Sequence, residues 1–256
     1  MTTNAIIEIK DINIHDEVRE HYAERAANLL EGNPAACCGD SCSCGYNAAD
    51  LSALPTEVTQ TSFGCGDPVS LAALKPGQRV LDLGSGGGLD CLLAGQKVGD
   101  TGWVIGVDMT PEMLALAWRN TAKADLHNVE YRFGHIEKLP VESDTIDVIL
   151  SNCVINLSPD KPAVFREAYR VLRAGGKFAV SDIVSDAEIP ASAQADLLSL
   201  TGCVSGAMKE SDYLAGIREA GFTDVRVVDR QFYSTVSNTE VKTYSVRVEA
   251  YKEARG

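Results

Sequence analysis

"VLDLGSGGGLD", residues 80–90, is the stretch on which the fold is decided. It opens with the apolar alternation of a strand, runs through Gly84, Gly86, Gly87 and Gly88, and leads into a helical pattern. A strand that feeds a glycine-rich turn into a helix lets a ligand approach backbone that no side chain shields. The dinucleotide pattern G-x-G-x-x-G competes for this reading, but it requires Gly or Ala at position 89, where Leu89 stands. The spacing that fits is D-x-G-x-G-x-G, starting at Asp82.

Outward from this loop, short apolar runs alternate with helical segments. Strands are expected at "RVLDL", "WVIGVD", "NVEYRFG", "DVILSN" and "KFAVSDIV", with helices after Gly88, near 111–123 and near 160–172. That alternation implies a parallel sheet covered by helices on both faces. Helical stretches near 190–200 and 210–220 precede "DVRVVDRQFY" and "TYSVRVEAYK", two strands expected to form an antiparallel hairpin at a sheet edge. Ahead of the core, residues 16–30 place Val18, Tyr22, Ala26, Leu29 and Leu30 at helical spacing, with Gly32 as a stop. "PTEVTQTSFGCGDPV" suggests a short helix broken at Gly64–Gly66 before Pro68. The expected organisation is residues 1–55 as a helix and cysteine-rich loop, 56–185 as the ligand-binding core, and 186–256 as a part that completes the sheet and contributes to the site.

The loop spacing resembles the first motif of class I S-adenosylmethionine-dependent methyltransferases, which implies a doubly wound, Rossmann-like α/β fold with a mostly parallel seven-stranded sheet. The chemistry suits the residues, because an ammonium and a sulfonium favour nearby carboxylates such as Asp82. Asp108 closes the second strand, where a carboxylate can accept both ribose hydroxyls. The resemblance therefore implies a cofactor site of Asp82, Gly84, Ser85, Gly86, Asp108 and Met109, with Gly134, His135, Ile136 and Glu137 at the adenine and Asn152 beside the fourth strand's end.

Eight cysteines occur in the chain, four of them dispersed. Cys91 falls among Leu92, Leu93 and Ala94 inside a helix, where a thiol behaves as a small hydrophobe. Cys153 follows the fourth strand, at the edge where open α/β sheets bind ligands, while Cys65 and Cys203 sit in glycine-flanked turns able to reach that edge. "LDLGSGGGLDC", "VIGVDMTPEML", "SNCVINLSPDK", "GCVSGA" and "FGCGDP" together resemble the arsenite S-adenosylmethionine methyltransferases, from about residue 56 to the C-terminus. The resemblance implies that Cys65, Cys153 and Cys203 hold trivalent arsenic, supplied as arsenite or a thiol conjugate, with no metal cofactor. The arsenic lone pair is then the nucleophile, and no general base is required; none of the four histidines shows a ligand or triad spacing.

"PAACCGDSCSCGY", residues 34–46, packs Cys37, Cys38, Cys42 and Cys44 into one short loop. A structural zinc site, a redox relay and an incidental flexible loop all remain open for it, although four ligands so close together are tight for zinc. The family resemblance implies a relay passing a disulfide to an external reductant such as thioredoxin or glutathione by exchange. A net charge of −13 and the lack of any Lys/Arg run argue against nucleic acid. No leader or membrane span is legible, so a cytoplasmic protein is expected, and nothing requires more than a monomer. A quinone-type C- or O-methyltransferase and a non-catalytic thiol metal binder are the alternative functions.

Overall fold

The computed structural model describes residues 14–32, 46–59, 64, 66–190, 193, 204 and 206–254. Seven strands run in the order β3-β2-β1-β4-β5-β8-β7, and the two-residue β6 pairs with β5. They span Arg79–Leu83 (β1), Trp103–Asp108 (β2), Val129–Phe133 (β3), Ile146–Asn152 (β4), Leu172–Ser185 (β5), Met208–Lys209 (β6), Thr223–Thr235 (β7) and Lys242–Tyr251 (β8). Strands β1 to β5 pair in parallel, whereas β8 runs antiparallel to both β5 and β7. This is the Rossmann-like class I methyltransferase architecture, with the final hairpin at one edge as the sequence suggests.

The central strands are largely apolar because helices cover both faces. Residues alternate between the faces: Leu81 and Leu83 of β1 join one core, with Phe165, Phe178 and Tyr213, while Val80 joins the other, with Cys91, Leu92 and Leu93. The flanking helices are Leu89–Val98 (α5), Pro111–Ala124 (α6), Lys161–Val171 (α7) and Glu210–Glu219 (α8). Local chemistry starts them: the Asp160 carboxylate accepts from Ala163 N at 2.9 Å, and a proline lies in the first turn of both α6 and α7. No described helix is long and apolar enough to cross a membrane.

Several local expectations shift. The strand expected from Lys177 begins at Leu172, directly after α7, with a register irregularity between Ile146 and Val148 of its partner. Pro68 opens a helix, Pro68–Ala72 (α4), instead of merely ending one, because Asp67 caps it by accepting from Ser70 N at 2.8 Å. Two further short helices, Ala48–Ser52 (α2) and Thr56–Thr59 (α3), precede it; Asn47 caps the first. The helix expected near 190–200 falls almost wholly outside the described residues.

The first helix, Ile14–Leu30 (α1), follows its periodicity. Ala26 and Leu29 pack on Met113 and Leu116 of α6, and Arg119 donates to the carbonyls of Leu29 and Leu30, each at 3.0 Å, closing the helix's C-terminal end. Leu29→Ala is expected to weaken this docking by about 2–3 kcal/mol. Hydrogen exchange should then accelerate across residues 14–30 while β1 to β5 stay protected; unchanged exchange in α1 would contradict docking through this face.

Candidate active site

The strand order reverses direction between β1 and β4, and the resulting crevice at their carboxyl ends is where open α/β sheets take ligands. A cleft with about 900 Å³ of empty space, partly open to solvent, lies there. Its floor is the glycine loop. Gly84 has φ +66°, and a Cβ at that position would meet Val154, 2.7 Å from its Cβ atom, so both backbone hand and space call for glycine.

Asp108 lines the cleft beside this loop. Its two oxygens accept from Gly86 N at 2.9 Å and Thr110 N at 2.8 Å, fixing the carboxylate while leaving it lone pairs for a diol. Burial pushes its pKa up, and the backbone donors oppose that shift. Gly84, Ser85, Gly86, Met109, Gly134, His135, Ile136, Glu137 and Asn152 line the same cleft, as does Cys153. The chemistry of this donor set suits S-adenosylmethionine: exposed loop backbone and an anchored carboxylate able to accept from a ribose diol.

Asp82 is not among the residues that line the cleft; at 2 % exposure it lies on the Val80 face of β1, where Cys91 Sγ donates to its Oδ2 at 3.2 Å. Burial, with the nearby charges of Asp90 and Asp108, pushes its carboxyl well above the usual range, which suits a neutral acid better than a counter-charge. Asp90, in the first turn of α5, takes the position on the cleft wall instead. Burial lifts its pKa to about 7 despite hydrogen bonds from Tyr46 and Asn152. Cys91, expected as plain core, is fully buried and free, but it also donates to a carboxylate.

Sequence reasoning missed the contribution of α1. His15, Val18 and Tyr22 line the cleft, with His15 Nε2 3.1 Å from Glu137 Oε1 and the His15 and His135 rings 4.8 Å apart. Ser158 also donates to Glu137. These bonds hold the Glu137 carboxyl below its ordinary value against the effect of burial. Only the docking of α1 on α6 brings His15 there, so no local pattern marks it.

Cys37, Cys38, Cys42, Cys44, Cys65 and Cys203 lie outside the described residues. Cys153 is 3 % exposed, has φ +57°, an uncommon conformation for a non-glycine residue, and donates its N–H to Ser181 O at 2.8 Å. It is disulfide-bonded. The neighbours of the other thiol positions close around this strand end. Gly64 abuts the Asn152 carboxamide and Gly66 abuts Ser181, each so closely that a Cβ would collide. Gly206 meets the Asn156 carbonyl in the same way.

Asn156 is itself fixed by a buried network: Nδ2 donates to Asp182 Oδ1 and to Ile183 O, both at 2.7 Å, and Tyr213 OH donates to Asp182 Oδ2 at 3.2 Å. Burial raises Asp182 to about 7.

The fold and cleft define a class I methyltransferase. The family model described as a methyltransferase domain matches residues 74–221, and the chain belongs to that family. It is 45% identical over 235 residues to the arsenite methyltransferase of Halobacterium salinarum, spanning 84% of this chain and 60% of that protein. Identity is 40% over 228 residues to the arsenite methyltransferase of Aquipseudomonas alcaligenes, spanning 85% and 64%. The chain thus covers less than two thirds of these curated relatives' length. Among solved structures, an arsenic(III) S-adenosylmethionine methyltransferase from Chlamydomonas reinhardtii superposes with TM-score 0.74 at 37% identity, covering 80% of this chain and 73% of the other.

Two outcomes follow from the site's acids. Asp182 holds a proton in the folded state up to about pH 7, whereas the unfolded group releases it near pH 4. Across that window stability contributed by this group falls as pH rises, by about 1.4 kcal/mol per pH unit, and above it the dependence flattens. Urea denaturation of Asp182→Asn between pH 4 and 8 should show a shallower fall by about one proton; an unchanged slope contradicts the assignment. For the cleft, Asp108→Ala should weaken S-adenosylmethionine binding by about ten-fold or more in titration calorimetry, the loss expected for hydrogen bonds to a charged acceptor.

Proposed function

We propose that this protein transfers a methyl group from S-adenosylmethionine to trivalent arsenic held by the thiolates of Cys65, Cys153 and Cys203. The observation that carries the reading is the crowding at the end of β4. Cys153 lines the cleft, while the glycines on both sides of Cys65 and Gly206, shortly after Cys203, press on Asn152, Ser181 and Asn156. The similarity to arsenite methyltransferases and the match of the family's cysteine-bearing strings support the substrate.

S-adenosylmethionine, when bound, supplies an electrophilic methyl on a sulfonium. The chain's part is to fix the substrate. Three thiolates displace the hydroxides of arsenite and leave a pyramidal centre with one exposed lone pair, held at near-attack distance by β4 and its neighbours. The lone pair forms the As–C bond as the C–S bond breaks, and no proton has to leave arsenic first, so the buried acids need not act as bases. Arsenic is formally oxidised to the pentavalent state. Two cysteine thiolates return the electron pair by joining as a disulfide, leaving methylated trivalent arsenic. Cys37, Cys38, Cys42 and Cys44 then take over that disulfide and pass it to a thiol reductant of the thioredoxin or glutathione type. The disulfide-bonded state of Cys153 accords with such a cycle. A monomer acting in a reducing cytoplasm completes the proposal.

Purified protein incubated with arsenite, S-adenosylmethionine and a thiol reductant should yield methylated arsenic on speciation. Cys65→Ser, Cys153→Ser and Cys203→Ser should each lower turnover by at least about 100-fold, a loss of roughly 2.7 kcal/mol or more in barrier terms. Single changes among the clustered cysteines should cost less than ten-fold, because neighbours substitute. No methylated product under varied reductants overturns the reading, and S-adenosylmethionine binding that survives such a result leaves a quinone-type substrate as the alternative.

A further inference from the structure

Tyr46 is the first described residue after the cysteine-rich stretch, and it is buried. Its hydroxyl donates to Asp90 Oδ1 at 2.9 Å and accepts from Asn152 Nδ2 at 2.9 Å. The same Nδ2 donates to Gly66 O at 2.8 Å and approaches Asp90 Oδ2 at 3.2 Å. One carboxamide therefore ties together the exit of the cysteine-rich stretch, the turn holding Cys65, the residue preceding Cys153, and the start of α5. A Cβ at Gly64 would collide with that carboxamide, so the turn approaches it without slack.

All four groups border the cleft: Tyr46, Gly64, Asp90 and Asn152 line it with Asp108. A ligand filling the cleft removes water from these hydrogen bonds, and bonds in a dry, low-dielectric setting are stronger and more costly to break. The reverse also holds, since whatever draws the three segments together completes the cleft wall.

We propose that Tyr46, Asn152 and Asp90 form a positioning clamp that couples the cofactor cleft to the thiol-bearing segments, so that cofactor and trivalent metalloid each tighten the binding of the other. The inference rests on the reading that the thiols hold trivalent arsenic. Tyr46 touches neither reacting atom; it acts through Asn152 and Asp90. Coupling between two ligands is reciprocal by thermodynamic necessity, and this supplies a readout that loss of general stability does not move.

The test uses the full reduced chain, S-adenosylhomocysteine as the non-reacting cofactor form, and arsenite. Titration calorimetry measures the Kd of each ligand with and without saturating amounts of the other. For the native chain the two ratios should agree and be about five-fold or more. In Tyr46→Phe, which keeps the ring and deletes the hydroxyl, the ratio should fall below two-fold, whatever the affinity for either ligand alone. Asn152→Ser should do the same, and the double variant should lose no more than either single one, as expected for partners in one network. A native ratio near one, or a native-like ratio in Tyr46→Phe, overturns the clamp alone. A native chain that binds S-adenosylhomocysteine but takes up no arsenite overturns the metalloid reading and the clamp with it.

Discussion

The parallel pairing of β1 with β4 is the constraint from which the site follows. Leu83 lies opposite Ser151 in that register, so the glycine loop after β1 and the Asn152–Cys153 corner after β4 emerge side by side at one edge. Strand order reverses here, and a cleft lies at this edge. Gly84 allows Val154 to close over the loop, and Gly64, Gly66 and Gly206 allow three further backbone approaches to the same edge. Side chains at any of these positions would hold the segments apart.

Acidity is the second theme. Asp82, Asp90, Asp108 and Asp182 all sit near the carboxyl ends of β1, β2 and β5 or on the helix that follows, and burial raises every one of them. Their roles nevertheless differ with their partners. Asp108 is held by backbone N–H groups and faces the cleft. Asp82 accepts a hydrogen bond from the Cys91 thiol behind the loop, Asp90 sits in the cleft wall, and Asp182 braces Asn156. Type and rough position did not distinguish these four carboxylates; the face of the strand or helix each occupies did.

The legible parts of the site were those whose chemistry and placement are local. The glycine loop, Asp108 at a strand end and the Gly134–Glu137 turn each follow directly from a strand, and the sheet topology carries them to the cleft. Asp82 lies behind the loop because period-two alternation turns it towards α5, alongside Val80, a consequence of which face the neighbouring helix covers. Tyr46 and His15 were not legible at all. Neither lies in a motif, and each arrives through long-range packing: one through a carboxamide 106 positions away, the other through a carboxylate 122 positions away.

By itself the sequence determined the alternation of strands and helices, the turn that must be glycine-rich, and the number and spacing of the cysteines. These are local properties of periodicity and residue type. Tertiary structure decided which carboxylate meets the cleft, which helix lines it beside Glu137, and which amide joins Tyr46 and Gly66 at its wall. Such choices depend on which surfaces pack together once the sheet has formed, because a hydrogen bond between distant residues exists only after the intervening chain has been folded into place.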